Sequence, residues 1–276
     1  MKINNKYCKN ISIVFGCIMI GIVLLIMLVG LFYTPYDFAE IDVANKLDFF
    51  SKEHLLGTDN LGRDILSRLM VGARISFIIG GSTVAIGLFF GGILGSIAGY
   101  FGGIADEIIE KLIDTQMAFP GVLIALMMIA VFGSNTINII FALAIMSMPR
   151  FARITRSGFL KNKSLDYVKA TRARGAGIFR IMFIHILPNL TSEIIVTCSL
   201  SFSSAVMSEA GLSYLGLGAN PLMPSFGKML SEAQNVILQA PWYVFIPAIS
   251  ITLLAMGFNL IADGCQQIET KGENNI

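Results

Sequence analysis

Charge is scarce in this sequence. Aspartate, glutamate, lysine and arginine make up 14% of the 276 residues, and 55% are hydrophobic, whereas a soluble domain carries about 25% charged residues. A water-soluble globular fold is excluded, and the chain reads as an integral membrane protein. Histidine occurs only at His54 and His185, too few for a nucleophile–base constellation. No GxxxxGK[ST] phosphate loop is present, since Gly227-Lys228 is followed by Met229. The four cysteines, Cys8, Cys17, Cys198 and Cys265, form neither a CxxC pair nor a metal-ligand spacing and are read as packing residues. The acid spacing of Gly57-Thr58-Asp59-Asn60-Leu61-Gly62-Arg63-Asp64 does not fit an EF-hand. The 14 methionines are read as flexible packing. No catalysis and no metal site are expected of this chain itself.

What is abundant is uncharged length. Ile11 to Phe32 follows Lys2, Lys6 and Lys9, exceeds a signal-peptide core and lacks a small-x-small cleavage site, so residues 11–33 are expected as a retained first span. The uncharged run Ile75 to Phe101 holds Gly87, Gly91, Gly95 and Gly99 at four-residue spacing, which lines one helix face for close packing. The charge-free stretch Thr115 to Pro149 has a turn at Gly133-Ser134-Asn135-Thr136. It predicts a third span ending near Phe132 and a fourth running from Ile137 into the Phe151 region. A fifth is expected over Leu190 to Ser208 and a sixth over Trp242 to Ala262. The fold class is therefore all-α, with six transmembrane helices. The fifth span is rich in hydroxyls, which in a bilayer bond back to their own helix or face a wet cavity. Ser199, Ser201, Ser203, Ser204 and Glu209 are accordingly candidates to line a pathway. Glu193, near one end of that span, is either a functional group or a partner of the nearby basic loop.

Basic residues set the expected orientation. Nine of them fall between Arg150 and Arg180 with a single acid, Asp166, which places this loop in the cytoplasm. The resulting organisation is a cytoplasmic N-terminus over 1–10, an extracellular segment over 34–74, a membrane core over 75–264 and a cytoplasmic tail over 265–276. Both termini of this multi-pass cell-membrane protein are expected inside. The core includes a cytoplasmic loop at 156–188, and residues 209–241 contribute a second outer segment. Asp106, Glu107, Glu110 and Asp114 dissent, as acids on the inner side. Arg63 to Arg74 is read as an amphipathic segment lying on the outer surface.

Within the basic loop, Ser164 can cap a helix with Asp166 in its first turn, and Gly175 can end it in a left-handed turn. A second short helix, Ile178 to Ile186, would lead to Leu187-Pro188. Such an elbow either holds anionic headgroups, at about 1 kcal/mol per charge, or inserts into a partner protein through Tyr167, Val168, Ala170 and Thr171.

Lys169-Ala170-Thr171, then Gly175, then Leu187-Pro188 resemble the "EAA…G…LP" signature of permease subunits of ATP-binding-cassette importers. His54 to Asp64, Ala118-Phe119-Pro120, Glu209 to Gly218 and Phe258-Asn259-Leu260 are similar to the C-type permease of the dipeptide/oligopeptide/nickel branch. These motifs span residues 54–264. Lys169 replaces the signature glutamate, Thr171 its second alanine, and Gln266-Gln267 the usual arginine–aspartate pair; His185 stands where the general signature has isoleucine. The resemblance implies a type I importer in which this chain pairs with a second permease subunit in a heterodimer. It also implies two cytoplasmic ATPases that hold ATP and Mg, and an extracellular substrate-binding protein. Membrane lipid surrounds the assembly, and nucleic acid has no part in it. It further implies ATPase coupling through Asp166, Tyr167, Lys169, Ala170, Thr171, Arg172, Arg174, Gly175, Leu187 and Pro188. The expected function is import of short peptides, with a nickel chelate as the alternative. A secondary transporter driven by an ion gradient is a remote reading, since the clearly spanning runs hold no buried carboxylate for an ion site. A simple membrane anchor would not need six spans.

Overall fold

A computed structural model describes residues 10–218 and 223–273, and all the regular elements among them are helices. The expected cytoplasmic residues 1–9, with Lys2, Lys6, Lys9 and Cys8, and the last three residues of the expected tail lie outside the described residues. Helix α1, Ile11–Phe32, starts where the Asn10 side chain accepts the Ser12 N–H and stops where Tyr33 turns extended. A segment without long helices follows, with one 3-10 turn at Val43–Asn45.

Helix α2, Ile65–Phe101, has 37 residues, capped by the Asp64 carboxylate accepting from Ser67 N at 2.7 Å. At 1.5 Å per residue it is about 55 Å long, more than a bilayer's hydrocarbon thickness. The surface segment expected over Arg63 to Arg74 is not a separate element. It forms the first turns of α2, and Ile65, Arg68, Leu69 and Ala73 are buried. Arg68 can enter because Asp59 and Glu232 supply its counter-charge.

The third span is broken. Helices α3, Gly103–Met117, and α4, Gly121–Phe132, meet at 84° across Ala118-Phe119-Pro120. Pro120 withholds an N–H and pushes Phe119 out of the helical region, so the helix cannot continue. Among the described residues, five helices are long and apolar enough to cross a membrane, or six if α3 and α4 form one bent span.

Helix α5, Thr136–Lys163, runs past the expected end at Phe151, with Pro149 inside it. Its arginines are therefore helical rather than in a loop, and two of them answer the dissenting acids of α3. Arg156 Nη2 lies 2.9 Å from Asp106 and 3.1 Å from Glu110, and Arg153 lies 3.0 Å from Asp114.

The glycine stripe of α2 packs on α5 as expected. A Cβ at Gly91 would come 2.5 Å from the Met148 carbonyl oxygen, and one at Gly99 the same distance from that of Arg156. Gly87 lies against Ser147 and Gly95 against Ala152. Backbone cannot retreat as a side chain can, so Gly91→Leu should destabilise the protein by at least about 1–3 kcal/mol. Gly81, with nothing within 4 Å of its Cβ position, should accept leucine; thermal unfolding of the two variants in detergent checks the contrast.

Helix α6 is Asp166–Ala173. Ser164 does not cap it: its Oγ donates to Lys161 O at the end of α5, and Leu165 occupies the cap position without a side-chain bond. The chain then forms α7, Ile178–Arg180, a π turn at Ile181–Ile186 and a 3-10 turn at Leu187–Leu190, and continues into α8, Thr191–Tyr214. Helix α9 is Phe226–Gln234. Helix α10, Pro241–Glu273, carries the expected sixth span on through most of the expected tail. Two apolar clusters mark opposite ends of the bundle. One joins Val23, Leu69, Phe202, Phe226 and Tyr243, and the other Tyr100, Phe159, Val168, Ile181 and Leu190.

Candidate coupling and translocation site

The elbow is a rigid object with a fixed root. Val168, 1% exposed, enters the cluster with Phe159 of α5 and Tyr100 of α2, so it holds the elbow rather than presenting a docking surface. The Tyr167 hydroxyl donates to Asn162 Oδ1 at 2.9 Å and accepts from Asn189 Nδ2 at 2.8 Å, tying both arms together. Arg172 Nη2 donates to the Tyr100 hydroxyl at 3.1 Å, and its guanidinium carbon lies 5.7 Å from that ring's centroid. Thr171 Oγ1 bonds back to Tyr167 O, and Leu187 packs on the apolar cluster.

The α6 end closes as a Schellman turn, with Gly175 N–H donating to Arg172 O at 2.9 Å and Ala176 N–H to Thr171 O at 3.4 Å. Gly175 has φ +82°. Of the residues that the resemblance marks for coupling, Asp166, Lys169, Ala170, Arg174, Gly175 and Pro188 face outward, with Tyr167 and Arg172 exposed yet bonded inward. The Lys169–Asp166 pair, 3.1 Å apart and solvated, adds little stability.

Three cavities lie along the seam of α5 and α8. The first, about 350 Å³, is lined by Thr83, Gln116, Arg150, Ser201 and Ser204 among others. The second, about 640 Å³, has Arg150, Arg153, Glu193, Thr197 and Gln266 in its wall. The third, about 720 Å³, has Arg150, Ser203, Ser204, Ser208 and Asn259. Ser201, Ser203 and Ser204 thus come together on cavity walls, although Ser203 Oγ also donates to Ala255 O of α10. Ser199 does not join them: its Oγ bonds back to Ile195 O, and it lines none of the three. Glu209 is fully buried, accepts from Ser213 Oγ at 2.6 Å and is absent from all three walls. Glu193 faces the second cavity. Sequence reasoning missed Thr83, Gln116 and Asn259, and counted Arg150 as part of a loop. The only available signal for Arg150 was its place directly after a long uncharged run.

At the other end of the bundle, residues 57–64 form an internal clasp. Buried Asp59 accepts from Arg63 Nε at 2.6 Å and from Arg68, while Glu232 accepts from Arg63 at 3.0 Å and pairs with Arg68 at 2.8 Å. The Tyr243 hydroxyl donates to Glu232 at 3.2 Å, and His54 Nδ1 meets Asp64 at 3.0 Å. Burial acts to raise the Glu232 pKa, but the Arg68 and Arg63 guanidiniums outweigh it and hold the carboxyl below its ordinary value. The clasp ties the segment before α2 to α2, α9 and α10.

Residues 91–269 match the sequence profile of the family described as binding-protein-dependent transport system inner membrane component. The chain is 41% identical over 256 residues to the dipeptide transport system permease protein DppC of Alkalihalophilus pseudofirmus, covering 93% of this chain and 84% of that one. It is 40% identical over 250 residues to the glutathione transport system permease protein GsiD of Pectobacterium atrosepticum, covering 88% and 83%. A solved structure of the MetNI methionine ABC transporter in an inward-facing conformation matches with a TM-score of 0.57 at 15% identity, over 72% of this chain and 94% of that one. That likeness establishes the type I importer fold.

Proposed function

Because this chain belongs to the family of binding-protein-dependent transport system inner membrane components, a multi-pass permease subunit, we propose that it imports short peptides as half of an ATP-driven pathway. The names of its relatives, which concern dipeptides and glutathione, support the substrate class. The second half of the pathway is a different permease subunit. Two cytoplasmic ATPases hold ATP and Mg and perform the hydrolysis; this chain performs none.

The observation that carries the mechanism is the rooted elbow. Its outward face offers Ala170, Arg174 and Gly175 to an ATPase cleft, while Val168 and Tyr167 lock it to α5, α2 and the start of α8. Closure of the ATPase pair moves the elbow as one piece, and α8, continuous with its second arm, carries the movement to the cavity walls. In this reading the elbow and both chain ends lie in the cytoplasm, and the clasp faces the substrate-binding protein. Nickel-chelate import by the same architecture has no observation of its own in its favour.

Proteoliposomes holding the complete complex and its binding protein should accumulate radiolabelled dipeptide only when ATP is supplied to the ATPase side. Accumulation driven by an ion gradient without ATP would refute this reading.

A further inference from the structure

Arg150 lies 14 residues into α5, about 21 Å from Thr136 at 1.5 Å per residue, so it stands within the span. An ionisable group there needs a partner or a wet cavity. Arg153 and Arg156 find theirs in the acids of α3, whereas Arg150 makes no ion pair or hydrogen bond among the described residues. It lines all three cavities and, among the described residues, is the only charged one in the walls of the first and third. A second observation points to a polar guest. Thr83 Oγ1 and Ser201 Oγ, both buried and both in the wall of the first cavity, have no hydrogen-bond partner.

We propose that Arg150, which shares a cavity wall with Thr83 and Ser201, is a carboxylate-binding station on the translocation path, holding the C-terminal carboxylate of a passing peptide. The inference rests on the peptide-importer reading above and deepens it. A guanidinium takes a carboxylate through two parallel N–H···O bonds. Lipid headgroups, the other anions within reach of a spanning arginine, would not account for unpaired hydroxyls buried in an inner wall. With Glu193 on the adjoining second cavity, a zwitterionic peptide meets a positive and then a negative side chain along one seam.

The test uses the full complex with Cys8, Cys17, Cys198 and Cys265 replaced by alanine, reconstituted with a radiolabelled dipeptide. Arg150→Cys should lower ATP-driven uptake about tenfold, the loss expected from one charge-assisted bonded pair. Reaction of that cysteine with an aminoethyl thiosulfonate, which restores a cation, should recover most of the uptake, and a sulfonatoethyl reagent should not. Saturating dipeptide should slow the labelling. Uptake unchanged in Arg150→Cys, or equal recovery with either reagent, overturns the proposal, as does labelling indifferent to peptide, the result expected of an arginine that serves lipid. Arg150→Lys, which keeps the charge, should transport better than Arg150→Cys, and equal loss in both would also overturn it. The wild-type complex separates the two claims: if it accumulates no peptide with ATP, the importer reading itself fails and takes this site with it.

Discussion

Gly175→Val should lower ATP-driven peptide uptake by about tenfold or more while the protein still inserts in the membrane. The argument is one of backbone conformation alone, since no atom lies within 4 Å of the position a Cβ would take. At φ +82° a β-branched residue pays about 1–3 kcal/mol of strain. The Schellman turn is held by two backbone bonds, so strain of that size favours an unwound turn and leaves the docked geometry a minority, near one tenth at 1.4 kcal/mol. The root through Val168 is untouched, which is why insertion and abundance should persist. Gly175→Asn is the control, because asparagine tolerates the left-handed region; it should retain most of the uptake. Wild-type uptake in the valine variant would show that force does not pass through this turn.

Arg68→Ala should cost about 3–5 kcal/mol of stability, the usual result of leaving buried carboxylates without their cation. Asp59 is fully buried, and it would then have to share Arg63 with Glu232. Thermal unfolding in detergent should shift strongly downward, and proteolysis of the segment before α2 should quicken. Arg68→Met combined with Asp59→Asn removes both charges and should restore much of the loss. The pH dependence has a fixed sign. A carboxyl with a depressed folded pKa contributes fully above its ordinary value of 4.5, so Glu232 strengthens the clasp there and ceases to as the pH falls towards the depressed value. Unaltered unfolding in Arg68→Ala would mean that the clasp contributes nothing to the fold.

Local rules made much of this readable before any coordinates. The four-residue glycine spacing anticipated the α2–α5 contact because helix periodicity turns spacing directly into a face. Gly175 and Leu187-Pro188 marked the elbow because positive φ and a missing N–H are properties of single residues. Long-range effects stayed hidden. Arg68 looked like a surface charge because Glu232, which neutralises it, lies far along the chain. Arg150 fell at the expected end of the fourth span because hydropathy sees where apolar runs stop, not where helices stop; α5 continues to Lys163. The 84° break at Ala118-Phe119-Pro120 was equally invisible to hydropathy, since an uncharged stretch scores alike whether straight or bent. Among the serines, composition marked the right helix but not the right faces: Ser201, Ser203 and Ser204 reach cavities, and Ser199 bonds to its own backbone.

The most direct test of the central claim is a single cysteine at Ala173, on the exposed end of α6, in the cysteine-free chain. A membrane-impermeant maleimide should leave it unlabelled in intact cells, label it in inside-out vesicles stripped of ATPase subunits, and label it slowly once those subunits are bound. Labelling from outside intact cells, or labelling indifferent to the ATPases, would contradict an elbow gripped from the cytoplasm.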